Sequence, residues 1–208
     1  MHGFFNMDGP IYRYGSLLAD LLLLTVLWFL CSLPIVTIGA STTAVYFVTT
    51  RRITDKEGYI TRDFFISFKR NFKTATLVFL VLGGIAGVCF LNLWIMSSNE
   101  LDRLVMLSLP VQFLIFIEAV VVSVYAFSML SRFDMNFKTL LKSAFVMANR
   151  HLATTMLCLV LLTATIIFSL MLPVFALLSV GTYCYISSFF LMKRFKKYRP
   201  DLDPEETR

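Results

Sequence analysis

Hydrophobic positions fall into four long runs that are separated by charged segments. The runs cover residues 21–50, 74–99, 104–131 and 152–192, and only the third contains a charge, Glu118. The last run alone is about 60 Å long as a helix, twice the ~30 Å thickness of a bilayer core. This pattern predicts an all-α polytopic membrane protein that forms one domain over 1–208.

Two prolines divide the longest runs. The residue before a proline disfavours the helical conformation, so Pro34 and Pro173 are expected to end helices. Both runs then cross the membrane twice, which gives six spans. Treating the first run as one tilted span gives five, the alternative. The six expected spans are 11–33, 37–52, 74–97, 104–130, 152–172 and 174–192.

The charges set an orientation. The chain is 58% hydrophobic and only 15% charged, and its net charge is +6; soluble domains have roughly 25% charged residues. Lysine and arginine concentrate at 51–73, at 132–150 and after 192. Basic loops stay cytoplasmic, so both polar loops and both termini are predicted inside. These charges border apolar spans, which favours membrane lipids as partners and argues against nucleic acid.

A cluster of hydroxyl residues follows the first proline. We expect Gly39 to permit a tight return and Ser41 or Thr42 to cap the next helix. A second interpretation is that the side chains of Thr37, Ser41, Thr42 and Thr43 line a polar pocket inside the membrane, as in transporters with broken helices.

Glu118 lies near the middle of the fourth expected span. A charge at this depth costs at least a few kcal/mol, so we expect the carboxyl group to face the bundle and to be protonated or paired. Two roles fit this position. Glu118 is either a proton or substrate site, or a structural group that forms a hydrogen bond between helices.

The two polar loops have amphipathic patterns. In the first, Phe64, Phe68 and Phe72 share one helical face, and the basic residues Lys69, Arg70 and Lys73 lie on the other. The segment at 137–150 repeats this pattern. We therefore expect two cytoplasmic interfacial helices, which either anchor the spans or form a docking surface.

A weak internal repeat links the two halves. The sequence SLPI at 32–35 corresponds to SLPV at 108–111, and Val45-Tyr46 corresponds to Val124-Tyr125. If it is real, segments 32–96 and 108–172 form two parallel units, which also favours six spans.

Two motifs carry a family resemblance. The stretches SLPIVTIGASTTAVYF at 32–47 and RDFFISFKRNFKTATLVFL at 62–80 resemble the YesL-like family of bacterial integral membrane proteins. The resemblance implies a bacterial cell-membrane location and a link to carbohydrate utilisation and uptake. It supplies no catalytic residues.

The leading hypothesis is a non-catalytic multispan protein that assists or forms part of a carbohydrate-uptake system, with ABC-type sugar transporter subunits as partners. The alternatives are a self-sufficient small-solute or proton-coupled carrier that uses Glu118, and a membrane-assembly or sensing protein. Enzyme and cofactor motifs are absent from the sequence: the two histidines lie far apart, and no phosphate-binding loop or metal-ligand spacing occurs. We therefore expect no catalytic activity and no cofactor.

Overall fold

The computed structural model describes residues 10–54, 58–97 and 103–198. These residues form seven α-helices and no strand, which confirms the all-α prediction for the described part of the chain. The helices are α1 Pro10–Cys31, α2 Ile38–Ile53, α3 Ile60–Ser97, α4 Arg103–Leu130, α5 Phe137–Arg150, α6 Leu152–Met171 and α7 Pro173–Tyr198.

Four of the helices are long and apolar enough to cross a membrane. The qualifying segments are Ile60–Asn92 in α3, Ser108–Leu130 in α4, Leu152–Met171 in α6 and Val174–Phe195 in α7. The apolar part of α1, Gly15–Cys31, is shorter. The number of crossings therefore stays a prediction, whereas the membrane-helix character of the chain is supported.

The break after α1 is built around Pro34. This residue is extended, with φ −75° and ψ 113°, and a single 3-10 turn at Ile35–Thr37 leads into α2. The hydroxyl of Thr37 lies 2.6 Å from the carbonyl oxygen of Cys31 and 2.5 Å from that of Pro34. Thr37 thus offers a donor to the carbonyl oxygen of Cys31, which the end of α1 leaves without a helical partner.

Gly39, Ser41 and Thr42 do not have the roles that the sequence suggested. All three lie inside α2, which begins at Ile38. Because the helix starts before them, Gly39 is not part of the turn, and neither Ser41 nor Thr42 is the N-terminal cap. The capping position is taken by Thr37, whose side chain makes no capping bond to α2.

Gly39 instead permits a close contact between α2 and α3. A Cβ atom on Gly39 would lie 2.5 Å from the carbonyl oxygen of Ala75 and 2.8 Å from Cβ of Phe79. Such distances are too short for any side chain. The helix crossing therefore requires glycine at this position.

This contact fixes how far the α1–α2 hairpin reaches along α3. Gly39, near the tip of the hairpin, contacts Ala75 and Phe79, just beyond Lys73, the last charged residue of α3. The part of α3 that follows Phe79 is about 27 Å long at the ordinary helical rise. The hairpin thus packs beside the charged half of α3 and stops well short of its other end.

The expected interfacial helix at 59–73 is not a separate element. Residues 60–73 form the first part of α3, which continues without a break to Ser97. No proline lies in this segment to interrupt the helix, and Phe64 is completely buried in the bundle. The first predicted interfacial segment is therefore the charged first part of α3, and its position at the membrane interface stays a prediction.

The second amphipathic segment does form its own helix. The chain leaves α4 through residues 131–136 and forms α5, which bends at His151 into α6. One face of α5 is buried against the bundle through Leu140, Ala144 and Ala148. The basic residues Lys138 and Lys142 are exposed.

Candidate functional site

Two of the four hydroxyl groups expected to line a polar pocket bond to the backbone of their own helix. Thr42 Oγ1 donates to the carbonyl oxygen of Ile38 at 2.7 Å, and Thr43 Oγ1 donates to that of Gly39 at 2.9 Å. Ser41 is completely buried, and its hydroxyl has no hydrogen-bond partner. Thr hydroxyls that bond back to the preceding turn are common inside helices and need no ligand.

One of these hydroxyls also connects two helices. Thr42 Oγ1 accepts a hydrogen bond from Nε1 of Trp28 at 3.0 Å, which joins α2 to α1. With a backbone acceptor and a side-chain donor already in place, Thr42 has little remaining capacity for a solute.

Glu118 lies apart from these hydroxyls. Its Oε1 accepts a hydrogen bond from Nδ2 of Asn149 at 2.6 Å. The same amide nitrogen donates to the carbonyl oxygen of Phe145 at 3.1 Å. Glu118 therefore faces α5, and no hydrogen bond joins it to Thr37, Thr42 or Thr43.

A cavity of about 260 Å³ lies between α2, α3, α4, α6 and α7. Its walls are mainly apolar, with Phe79 and Leu82 on α3 and Val124 on α4. Four residues with hydroxyl groups also line it, namely Thr42, Tyr46, Ser123 and Tyr183. The hydroxyl of Ser123 donates to the carbonyl oxygen of Val120 at 2.6 Å, whereas the buried hydroxyl of Tyr183 has no hydrogen-bond partner. Ala119 lines the cavity and Glu118, its neighbour, does not. The cavity therefore offers no ionisable carboxyl group to a solute.

Pairs of hydroxyl groups join neighbouring helices inside the bundle. Tyr46 on α2 and Ser187 on α7 lie 3.1 Å apart through their hydroxyl oxygens, and Thr49 and Ser188 repeat this pairing at the same distance. All four residues are buried. These bonds satisfy buried polar groups and fix the position of α2 against α7.

A third hydroxyl pair joins α4 to α6. Tyr125 and Thr155 lie 3.1 Å apart, and Thr155 also donates to the carbonyl oxygen of Ala148 at 2.7 Å. Sequence reasoning missed these pairs. Tyr46 and Tyr125 do occupy matching positions in the weak repeat, which was the one signal that could have drawn attention to them.

A polar pocket lies where α2 ends and α3 begins, which we call the basic end of the bundle. It has a volume of about 160 Å³. Two ion pairs border it: Arg51 to Asp63 at 3.2 Å and Arg52 to Asp20 at 2.9 Å. Arg52 also donates to the hydroxyl of Ser16 at 3.0 Å. Asp20, which lies on α1, thus has an arginine partner from α2.

The ion pairs connect three helices. Arg52 on α2 reaches Asp20 on α1, and Arg51 reaches Asp63 on α3. Gly58 packs directly against the carboxylate of Asp63, where a Cβ atom would clash. Arginine and aspartate thus neutralise each other locally, so the pocket presents both charges and no net excess of either.

The residues predicted as a docking surface are divided between the interior and the exterior. Phe64 is 0% exposed and Phe68 is partly buried, so neither is free to contact a partner. Lys69, Phe72 and Lys73 are exposed.

Arg70 contacts two other parts of the bundle. Its guanidinium lies 5.3 Å from the ring centre of Phe47 and donates to the carbonyl oxygen of Ser131 at 3.4 Å. Arg70 thereby joins α3 to α2 and to the end of α4, although the residue as a whole is exposed, as Lys69 and Lys73 are.

Comparison with known protein families identifies a match to part of the chain. The family DUF624, described as a protein of unknown function, matches residues 21–93. This segment is about a third of the chain and contains both stretches, 32–47 and 62–80, that carry the resemblance noted above. No curated protein matches the chain. No solved structure matches it either.

Proposed function

We propose that this chain is a non-catalytic multispan protein of the bacterial cell membrane that assists or forms part of a carbohydrate-uptake system. The membrane location is supported by the four long apolar helices and by apolar side chains on their outer faces, such as Trp94, Leu170 and Met171, which are all exposed. Exposed apolar surface of this extent requires lipid or protein to cover it.

One observation carries the non-transporting role. Most of the polar groups described above bond to one another or to their own backbone, although the hydroxyls of Ser41 and Tyr183 have no hydrogen-bond partner, and Glu118 bonds to Asn149 instead of facing the central cavity. A carrier needs polar groups that exchange protein partners for solute. The arrangement of Tyr46 with Ser187, and of Thr49 with Ser188, instead stabilises contacts between helices.

The link to carbohydrate uptake is supported by the resemblance to the YesL-like family. The DUF624 match covers the same region of the chain, and its description gives no activity. The partners would be subunits of an ABC-type sugar transporter. Among the described helices, α1, α3, α4, α6 and α7 all carry exposed apolar faces that are available for such contacts.

For the topology, we place α3, α4, α6 and α7 across the membrane and the α1–α2 hairpin as a re-entrant element at the basic end. The sixteen residues of α2 span about 24 Å, less than a ~30 Å bilayer core. Four crossings and six crossings are both even numbers, so in either case the two termini lie on the same side of the membrane. The basic C-terminal tail places that side in the cytoplasm.

A proton-coupled carrier is the second candidate. It is favoured by the cavity of about 260 Å³ and by the carboxyl group of Glu118 on an adjacent helical position. In this case α5 would have to move so that Asn149 releases Glu118 during each cycle. A membrane-assembly or sensing protein is a third candidate that no particular contact favours.

Affinity isolation from native membranes tests the leading proposal. The tagged chain is cross-linked in intact cells, isolated in mild detergent and analysed by mass spectrometry, with an unrelated tagged multispan protein as the control. The expected result is enrichment of sugar-transporter subunits over the control. Equal amounts of these subunits in both samples would contradict the proposal.

A further inference from the structure

A groove that the functions above do not use lies between α4, α5 and α7. It has a volume of about 260 Å³. Its floor is formed by two phenylalanines and three methionines, namely Phe133, Phe195, Met129, Met135 and Met147. Methionine side chains are flexible and polarisable, so such a floor adapts to a chain of variable shape.

The outer edge of the groove carries a regular charge pattern. Lys142, Val146 and Arg150 are spaced four residues apart on α5, so they lie on one helical face. All three are exposed and line the groove. The opposite face of α5 is buried through Leu140 and Ala144. The edge is therefore cationic at both ends and apolar between them, over about 12 Å of helix.

No acidic side chain lines the groove among the residues that the structure describes. An occupant with an apolar part and a negative charge would therefore place its apolar part on the floor and its negative charge beside Lys142 and Arg150. A neutral apolar molecule would gain nothing from Lys142 and Arg150, and a soluble anion would gain nothing from the floor.

The groove also lies at the boundary between apolar and basic sequence. On α4, the apolar run ends beside Met129, and Arg132 follows. On α7, the basic tail begins at Lys193, two positions before Phe195. A site at such a boundary is level with lipid headgroups, where juxtamembrane lysine and arginine attract anionic lipid.

We propose that this groove binds an anionic phospholipid of the leaflet at the basic end of the bundle. The phosphate lies between Lys142 and Arg150, and part of one acyl chain lies on the floor of phenylalanine and methionine side chains. A cavity of roughly 150 Å³ holds a benzene molecule, so about 260 Å³ accommodates a longer alkyl segment. The inference depends on the membrane location and not on the role in uptake.

Lipid retention measured by native mass spectrometry tests the proposal. The purified full chain is exchanged into detergent micelles that contain phosphatidylglycerol or phosphatidylcholine with identical acyl chains. We expect one molecule of phosphatidylglycerol to be retained preferentially. Juxtamembrane charges contribute about fivefold in affinity each, so Lys142→Gln with Arg150→Gln should weaken retention about 25-fold.

The matched control removes two exposed charges outside the groove, Arg62→Gln with Lys138→Gln, and should leave retention unchanged. The variant Val146→Asp places a carboxylate at the exposed edge and should also lower retention. Unchanged melting temperatures show that the variants are folded. Glycerol phosphate should not compete, because it lacks the acyl chain that the floor binds.

Equal retention of the two lipids would overturn the proposal, as would equal losses in the groove variant and the control variant. Competition by glycerol phosphate would show a phosphate site without a lipid. A cross-linker at position 146 that captures protein and no phospholipid in native membranes would show that an acidic partner segment occupies the groove. A carbohydrate-uptake assay is not involved, so failure here leaves the proposed function intact.

Discussion

Asn149 on α5 donates a hydrogen bond to Glu118 on α4, with 2.6 Å between the amide nitrogen and the carboxyl oxygen. This bond gives the one acidic group of the third apolar run a partner from a different helix. It also holds the C-terminal end of α5 beside the middle of α4. The bond therefore supports the structural interpretation of Glu118, which requires no proton transfer.

Glu118→Gln should leave both folding and uptake close to normal, because the amide oxygen still accepts the bond from Asn149. Glu118→Leu removes the acceptor and should lower the free energy of unfolding by about 1 kcal/mol. Melting curves in detergent and growth on carbohydrate substrates measure the two effects. A folded Glu118→Gln protein that no longer supports growth would favour the proton-coupled carrier instead, since an amide cannot release a proton.

The tip of the α1–α2 hairpin should be inaccessible from the outside of the cell. Leu33 is 78% exposed on the bundle surface, so a cysteine there is free to react wherever reagent is present. In a Cys31→Ala background, Leu33→Cys should not react with a membrane-impermeant thiol reagent applied to intact cells. A re-entrant hairpin on the cytoplasmic side explains this result.

Two cysteine variants calibrate the labelling experiment. Glu100→Cys lies between the expected spans 74–97 and 104–130, on the side opposite the basic loops, and should react in intact cells. Tyr59→Cys should react only after permeabilisation. External labelling at position 33 would show that α1 and α2 both cross the membrane, as the six-span prediction has it. Reporter fusions at residues 1 and 208 should place both termini inside in either case.

Gly39→Ala should destabilise the bundle because the added Cβ meets backbone and side-chain atoms of α3 at less than 3 Å. Overpacking of this kind costs about 2 kcal/mol. Gly84→Ala is the matched control on α3: an added Cβ there has no neighbouring atom within 4 Å. It should be neutral or stabilising by up to about 1 kcal/mol, because alanine is the better helix former. Equal melting temperatures for the two variants would contradict the close packing of α2 against α3.

Asp63→Asn should lower stability more than Asp20→Asn does. The side chains of Arg51 and Asp63 are 28% and 11% exposed, whereas those of Arg52 and Asp20 are 45% and 20% exposed. Removing the charge from the more buried pair leaves Arg51 less compensated and should cost about 1–3 kcal/mol. The more exposed pair should contribute less than about 1 kcal/mol. Denaturant or thermal unfolding of the two variants side by side measures the difference, and a larger effect at Asp20 would contradict this ranking.

Sequence reasoning was most successful where single residues dictate backbone geometry. Pro34 ends a helix because its ring removes a hydrogen-bond donor and restricts the preceding residue, and Pro173 begins α7 for the same reason. The apolar runs likewise indicated all-helical structure. These features depend on local chemistry, so the chain reveals them without tertiary information.

Features that depend on contacts between distant residues were not predictable. The amphipathic pattern of 60–73 was interpreted as a surface helix, but the buried side of that pattern packs on protein, since Phe64 is completely enclosed. The partner of Glu118 lies thirty-one positions away and depends on α5 folding back along α4. Gly39 looked like a turn residue because glycine serves both turns and close helix crossings.

The central claim is that the chain supports carbohydrate uptake without carrying the solute itself. Uptake of a radiolabelled carbohydrate, measured in parallel in two membrane preparations, tests it most directly. Vesicles from cells that lack the chain should take up the carbohydrate more slowly than vesicles from cells that contain it. Liposomes that contain only the purified chain should take up no more than empty liposomes. Uptake by the chain alone, or equal rates in the two kinds of vesicle, would contradict the account.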